Sequence, residues 1–188
     1  MTEKIQWGIL GNANIARVCV IPAIQKSSNS TIYALASRSP KDAQRVADQN
    51  NISHVYESYD QLLQDPRIQV IYIPLPNHLH HAWTLEALKA GKHVLCEKPL
   101  ACNADQAREM ADAARDTGLF LMEAFMYRFH PRSRRIKEMV DNGSICVPRL
   151  VRSAFCYAME QKLLDSGDNA RLKQEMGGGA LLDVGCYS

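Results

Sequence analysis

Residues 5–16 read Ile5-Gln6-Trp7-Gly8-Ile9-Leu10-Gly11-Asn12-Ala13-Asn14-Ile15-Ala16, an apolar run of strand length that passes through one glycine into a helical segment. A strand that enters a helix through a glycine turn points unpaired amides and the positive end of the helix dipole at an anion. Against the G-x-G-x-x-G pattern, Gly11 fits the first position, while Ala13 and Ala16 replace the other two glycines. The turn at Gly11 is read as a place for a pyrophosphate, and an ordinary βα turn stands as the alternative.

Outward from this turn, apolar runs of strand length recur at 31–37, 70–73, 93–96 and 120–123, with segments of helical period between them. That alternation predicts an α/β fold, a Rossmann-like doubly wound parallel sheet with helices on both faces. Ser39-Pro40 opens a helix to about Asp48, and Asp65-Pro66 marks a break before the run 70–73. Asn77 is read as a helix N-cap; Gly91 and Gly118 close the helices that follow Asn77 and Asn103. After Glu123 the character changes to an aromatic and basic stretch, a helix over 132–140, a strand over 150–158 and a polar, irregular 159–176. The division is therefore a dinucleotide-binding domain over 1–124 and the incomplete start of an α+β C-terminal domain over 125–188.

The chain has 188 residues, 46% of them hydrophobic, enough for a substantial core. Its 22 basic and 20 acidic residues are interleaved, so the net charge of +2 sets up no field for nucleic acid or an anionic membrane. Arg128, Arg132, Arg134, Arg135 and Lys137 form the one basic cluster, and apolar Ile136, Met139 and Val140 among them favour a solvated helix face over a nucleic-acid surface. The first residues lack a secretion-signal core, and no stretch nears the roughly 18 apolar residues of a membrane span. Cytoplasmic localisation is expected. Six scattered cysteines, with no C-x-x-C pair, are read as reduced thiols in apolar packing.

The run 31–37 ends in Ser37 and Arg38 where an NAD enzyme usually carries an acid for the ribose hydroxyls. A hydroxyl and a guanidinium suit a 2′-phosphate, hence NADP rather than NAD; a solvated loop arginine is the alternative. Three histidines, His78, His80 and His81, follow Pro74-Leu75-Pro76-Asn77, but helical positions this close point apart and no carboxylate accompanies them, so no metal is expected.

Glu97-Lys98-Pro99 follows the run 93–96, which puts Lys98 at the carboxyl edge of the sheet. There it would hold a substrate oxygen and lower the pKa of a neighbouring phenol, the alternative being a surface pair with Glu97. Whether Lys98-Pro99 is cis or trans is left open by the sequence. Asp183 and Tyr187 are four apart and share a face if 181 onward is helical. A tyrosine titrating near 10 needs a cation to exchange protons near neutrality, and Lys98 is the candidate. The three glycines 177–179 permit close backbone approach, or form only a flexible loop.

Residues 8–16, Pro76-Asn77-x-x-His80, Glu97-Lys98-Pro99, Glu123-Ala124-Phe125-Met126-Tyr127-Arg128-Phe129-His130-Pro131 and residues 177–187 resemble the Gfo/Idh/MocA oxidoreductases along the whole chain. Within that family the chain is most similar to the branch with dimeric dihydrodiol dehydrogenase, D-xylose dehydrogenase and glucose-fructose oxidoreductase. The resemblance implies Lys98 and Tyr187 as the catalytic pair, with Asp183 orienting the substrate. It implies a cofactor site of Gly11 through Ile15, Ser37 and Arg38, with Leu75, Asn77 and His80 bordering the nicotinamide half and Glu97 and Arg128 beside it. The expected reaction moves a hydride between NADP and a small-molecule substrate, a sugar or related cyclic hydroxy compound. Family members continue past the tyrosine into a long helix and an antiparallel sheet that commonly mediates homo-oligomers. The chain is accordingly read as truncated at its C-terminus, and a non-catalytic NADP-binding module, acting as a sensor or binding a partner, is the competing function.

Overall fold

A computed structural model describes residues 3–165, 167 and 169–188. Six parallel strands form one sheet in the order β3-β2-β1-β4-β5-β6. They are β1 (Ile5–Leu10), β2 (Ser30–Ala36), β3 (His54–Tyr56), β4 (Val70–Ile73), β5 (His93–Cys96) and β6 (Leu121–Glu123). The order reverses between β1 and β4, and a crevice opens at such a switch point beyond the carboxyl ends of the strands. All the strands pair in parallel, so side chains on both faces need covering.

Alternation along the strands supplies two cores. Leu10, Ile71, Ile73, Val94 and Cys96 face α3 (Tyr59–Gln64), α4 (Asn77–Lys89) and α5 (Ala104–Thr117), where Leu62, Leu63, Ala87, Leu88 and Ala114 meet them. Ile9, Leu35 and Tyr72 point the other way, toward Ile21 and Ile24 of α1 (Ile21–Lys26) and Ala43, Val46 and Ala47 of α2 (Pro40–Asn50). The helix ends follow local chemistry: Asn103 accepts the Gln106 amide and Gly118 ends α5 at φ +69°. Asn77, expected as an N-cap, is instead the first residue of α4, and Pro76 precedes it as the cap. The short β3 was not among the strands expected from the sequence.

Beyond β6 the chain forms a 3-10 turn (Met126–Phe129), α6 (Pro131–Asp141), α7 (Gln161–Asp165), two further 3-10 turns (Ala170–Leu172 and Gln174–Met176), α8 (Ala180–Asp183) and a last turn (Gly185–Tyr187). Residues 166 and 168, within the stretch expected to be irregular, lie outside the described residues. Residues 150–158, expected as a strand, are irregular. A strand exists through its hydrogen-bonding neighbour, and none of the six sheet strands runs beside them. On α6, Arg135 pairs with Glu138 and Lys137 with Asp141, as on a solvated face. Among the described residues, no helix is long and apolar enough to cross a membrane.

The break at Asp65 has a physical cause. Its nearly buried carboxylate takes the Arg67 amide at 2.9 Å and the Arg67 guanidinium at 3.0 and 2.9 Å, and accepts from the Tyr56 hydroxyl. Nearby, the Lys92 ammonium donates to the carbonyl oxygens of Asp65 and Ile68, both at 2.7 Å. The Arg67 hydrogen bonds are the leading reason that the Asp65 carboxyl titrates well below the usual carboxylate range. A depressed carboxyl contributes stability above the unfolded-state pKa, and the contribution fades as pH falls through the folded value. Asp65→Asn is expected to lower unfolding stability by roughly 1–3 kcal/mol at neutral pH and to flatten its decline in acid, measured by urea denaturation across pH.

Candidate active site

The carboxyl ends of β1, β4, β5 and β6 open onto a cavity of about 510 Å³. Its sheet-side wall carries Ile15, Cys19 and Val20 after β1, Pro74, Leu75 and Asn77 after β4, and Glu97 and Lys98 after β5. Met126, Phe129, Arg171, Leu182, Asp183 and Tyr187 close the opposite side.

The chain leaves β1 through Gly11 at φ +94°, with the Gly11 amide held by the Ala36 carbonyl at 2.7 Å. A Cβ there would lie 2.8 Å from Leu75 Cδ2, so both the dihedral and the space require glycine. Helical backbone begins at Asn14 and opens into a π-helical stretch, Ala16–Val20, before α1. Such π turns are frequent at functional sites, and this one places Cys19 and Val20 on the cavity wall. The amides of the first turn have no intrahelical acceptor and remain for a ligand. Asn12 Oδ1, in the same turn, is buried with no hydrogen-bond partner. Ser37 is buried with its hydroxyl accepting the Ser39 amide at 3.3 Å, and Arg38 is exposed at the end of β2. The Arg38 charge reaches the Tyr59 phenol, whose own oxygen would lie 3.6 Å from a Gly11 Cβ. Turn, serine and arginine thus share one edge. First-turn amides without intrahelical acceptors and a cation at the same edge suit a phosphorylated dinucleotide.

Lys98 links the two walls. Its ammonium donates to the Asp183 carbonyl oxygen, lies 3.6 Å from the Asp183 carboxylate and stands 5.1 Å above the centre of the Tyr187 ring. The Asp183 carboxylate also takes the Tyr157 hydroxyl at 2.6 Å and Arg171 Nε at 3.2 Å. Tyr187 packs among Phe125, Tyr127 and Phe155, with ring centres 5.3, 6.0 and 5.5 Å away, and its hydroxyl meets Met126 Sδ at 3.6 Å. The Lys98-Pro99 peptide bond is cis.

The catalytic trio inferred from sequence, Lys98, Asp183 and Tyr187, therefore lines one cavity, although no single helix carries Asp183 and Tyr187. Helix α8 stops at Asp183, and Val184, at φ −130°, separates it from the last turn. The expected lowering of a phenol pKa by Lys98 is not what the structure shows. The Tyr187 phenol titrates above its ordinary value of 10, chiefly through burial and then through the negative charge of Glu97. The ammonium stands over the ring face and is engaged by Asp183.

Other inferred residues take distinct places. Glu97 accepts the hydroxyl of fully buried Tyr72 at 2.6 Å, which fixes its carboxylate at the cavity wall. His80 is fully buried and turned from the cavity toward two backbone carbonyls; His81 pairs with Glu109 at 2.8 Å. Arg128 is exposed and off the cavity wall, its charge reaching Glu123, whose carboxyl burial raises above the usual range. Sequence reasoning missed Arg171 and Tyr157 because they approach only through folding of the irregular stretch around them.

A parallel sheet that opens at its switch point through a glycine turn is the architecture of dinucleotide-binding folds. The chain belongs to the oxidoreductase family with the NAD-binding Rossmann fold, Gfo/Idh/MocA: residues 5–125 match that family, and residues 133–188 match its C-terminal domain. It is 44% identical over 184 residues to D-xylose 1-dehydrogenase (NADP(+)) 2 of Haloferax volcanii, covering 98% of this chain and 55% of that protein. It is 36% identical to trans-1,2-dihydrobenzene-1,2-diol dehydrogenase of Xenopus laevis, covering 97% and 54%. The crystal structure of the 3-ketoreductase KijD10 from Actinomadura kijaniata with NADP and TDP-benzene superposes with TM-score 0.80 at 35% identity, covering 98% of this chain and 55% of that one. The chain thus spans about half the length of these relatives.

The segment carrying Asp183 and Tyr187 is seated through Gly177. The Asn77 side-chain amide donates to the Gly177 carbonyl at 2.7 Å, and at φ +73° a Cβ on Gly177 would stand 2.7 Å from Cys102 Sγ and 2.8 Å from Asn77 Cβ. Gly177→Ala is expected to cost about 1–2 kcal/mol locally and to accelerate amide hydrogen exchange across residues 177–188 while the sheet strands keep their protection.

Proposed function

We propose that this chain is the nucleotide-binding part, with the first of the substrate-binding part, of an NADP-dependent oxidoreductase acting on a sugar or related cyclic hydroxy compound. The division falls near residue 124, with 1–124 holding the nucleotide and 125–188 beginning the second domain. One observation carries the reading: an ammonium from the sheet edge and a phenol from the last turn of the chain meet over a single cavity. The relatives named above, dehydrogenases of D-xylose and of a cyclic diol and a ketoreductase crystallised with NADP, support it.

The Gly11 turn and the amides through Ile15 would hold the pyrophosphate, Ser37 and Arg38 the 2′-phosphate, and Leu75, Asn77 and Glu97 the nicotinamide half. When bound, this cofactor supplies or accepts the hydride. The protein supplies charge and the proton. Lys98 holds the substrate oxygen and stabilises the negative charge that develops on it. Tyr187 gives its hydroxyl proton to that oxygen in reduction, which leaves a phenolate for solvent to reprotonate, and takes the proton back in oxidation. Asp183 and Arg171 set the position of Lys98. A phenol titrating above 10 is protonated at neutral pH and fits the proton donor of a carbonyl reduction.

Steady-state assays with sugar and cyclic-diol substrates on the full-length protein check this. Lys98→Met and Tyr187→Phe should each lower kcat by about a hundredfold or more while NADPH fluorescence titration shows retained binding. In the wild type, substrate oxidation should rise with pH along a limb above about 10 that is missing from Tyr187→Phe, because the base form of the phenol exists only there. Binding without turnover on any such substrate would instead favour a non-catalytic module. Arg38→Ala should reduce the preference for NADP over NAD by about tenfold, and an unchanged ratio of affinities would remove Arg38 from the 2′-phosphate site.

A further inference from the structure

One buried side chain joins the two loops that carry the sheet-side wall of the cavity. His80 lies on α4, fully buried, with Nε2 2.7 Å from the Leu75 carbonyl oxygen and Nδ1 2.8 Å from the Pro99 carbonyl oxygen. The first carbonyl belongs to the loop that presents Leu75 and Asn77, the second to the loop that presents Lys98. Both partners are acceptors. A neutral imidazole has one N–H and one lone pair, so it satisfies one of them; the imidazolium donates to both.

We propose that His80 is a positioning residue that couples the 74–77 loop to the 98–100 loop, and that the coupling is complete only when its ring carries both protons. The surroundings concentrate the effect on the Lys98 loop. The Leu100 amide of the same Pro99–Leu100 peptide is tied to the Glu123 carboxylate of β6 at 2.8 Å, so His80 and Glu123 together hold both polar groups of the peptide that follows Lys98-Pro99. Losing the Pro99 contact takes the α4 anchor from that peptide and loosens the chain next to Lys98; losing the Leu75 contact frees the Leu75 and Asn77 wall.

The charges around the ring decide when each state holds. Burial disfavours the cation and is the largest influence, lowering the pKa of His80 below the ordinary histidine value. The two carbonyls oppose it, as does the carboxylate of Glu97 from the loop after β5, while His78 on α4 itself adds to it. Glu123 of β6 is engaged with the Leu100 amide. With a lowered pKa the ring is neutral at neutral pH and holds one loop firmly. Acidification adds the second proton and closes the second contact.

The consequence for Lys98 rests on the oxidoreductase reading, but the coupling itself is read without turnover. In the 188-residue chain labelled with ¹⁵N, the His80 ring and the backbone amides are followed by NMR from about pH 8 to 5. The ring should pass from a single neutral tautomer to the imidazolium with a midpoint below about 6.5, and the amides of Leu75, Asn77, Lys98 and Leu100 should shift with that same midpoint. His80→Gln, folded by its dispersed spectrum, should lose the transition from both loops together. A ring that holds one protonation state throughout, or a transition shared with only one loop, would overturn the proposal whether or not the variant folds. The Lys98→Met assay reports separately on the catalytic reading.

Discussion

The ammonium of Lys98 holds together parts of the chain 85 residues apart. From the end of β5 it reaches the Asp183 carbonyl and carboxylate and lies over the Tyr187 ring. Without it, residues 177–188 would rest on the sheet through apolar contacts and the Asn77–Gly177 hydrogen bond. With it, the carboxylate, the phenol and the cavity have a common reference point. The nucleotide-binding edge and the last turn become one site because a single cation is shared between them.

That sharing fixes the electrostatics. Lys98 and Arg171 bring two positive charges to the Asp183 carboxylate, and Tyr157 adds a hydrogen bond, so the carboxylate is held from three directions. Both cations are in direct contact with Asp183. The phenol lies among three aromatic rings and keeps its proton. Burial keeps this phenol protonated at neutral pH. Glu97, fixed by Tyr72, adds negative charge to the same wall and acts in the same direction on Tyr187.

Much of this was legible in the sequence where the pattern is local. The strands at 5–10, 70–73 and 93–96 stand where their apolar runs stop, because each run is bounded by a glycine, a proline or a charged pair. His54-Val55-Tyr56 escaped notice as a strand, since three residues carry too short a period to read and two of them are polar or amphipathic. Residues 150–158 have strand composition, but their structure depends on a pairing partner that composition does not supply. The trio Lys98, Asp183 and Tyr187 was found through motifs, and Arg171 and Tyr157 were not, because their approach to Asp183 is a property of the folded loop alone. His80 was placed beside the cofactor. Its recurrence with Thr84, Ala87 and Leu88 at helical spacing marks instead the buried face of α4, and that signal was present in the sequence.

The central claim is spatial, and an isotope-edited nuclear Overhauser experiment on the 188-residue chain tests it most directly. Cross-peaks between the ε-methylene protons of Lys98 and the ring protons of Tyr187 are predicted, since the ammonium stands 5.1 Å from the ring centre. A Tyr187 ring that shows contacts only to residues near it in sequence, with none to Lys98, would contradict the account.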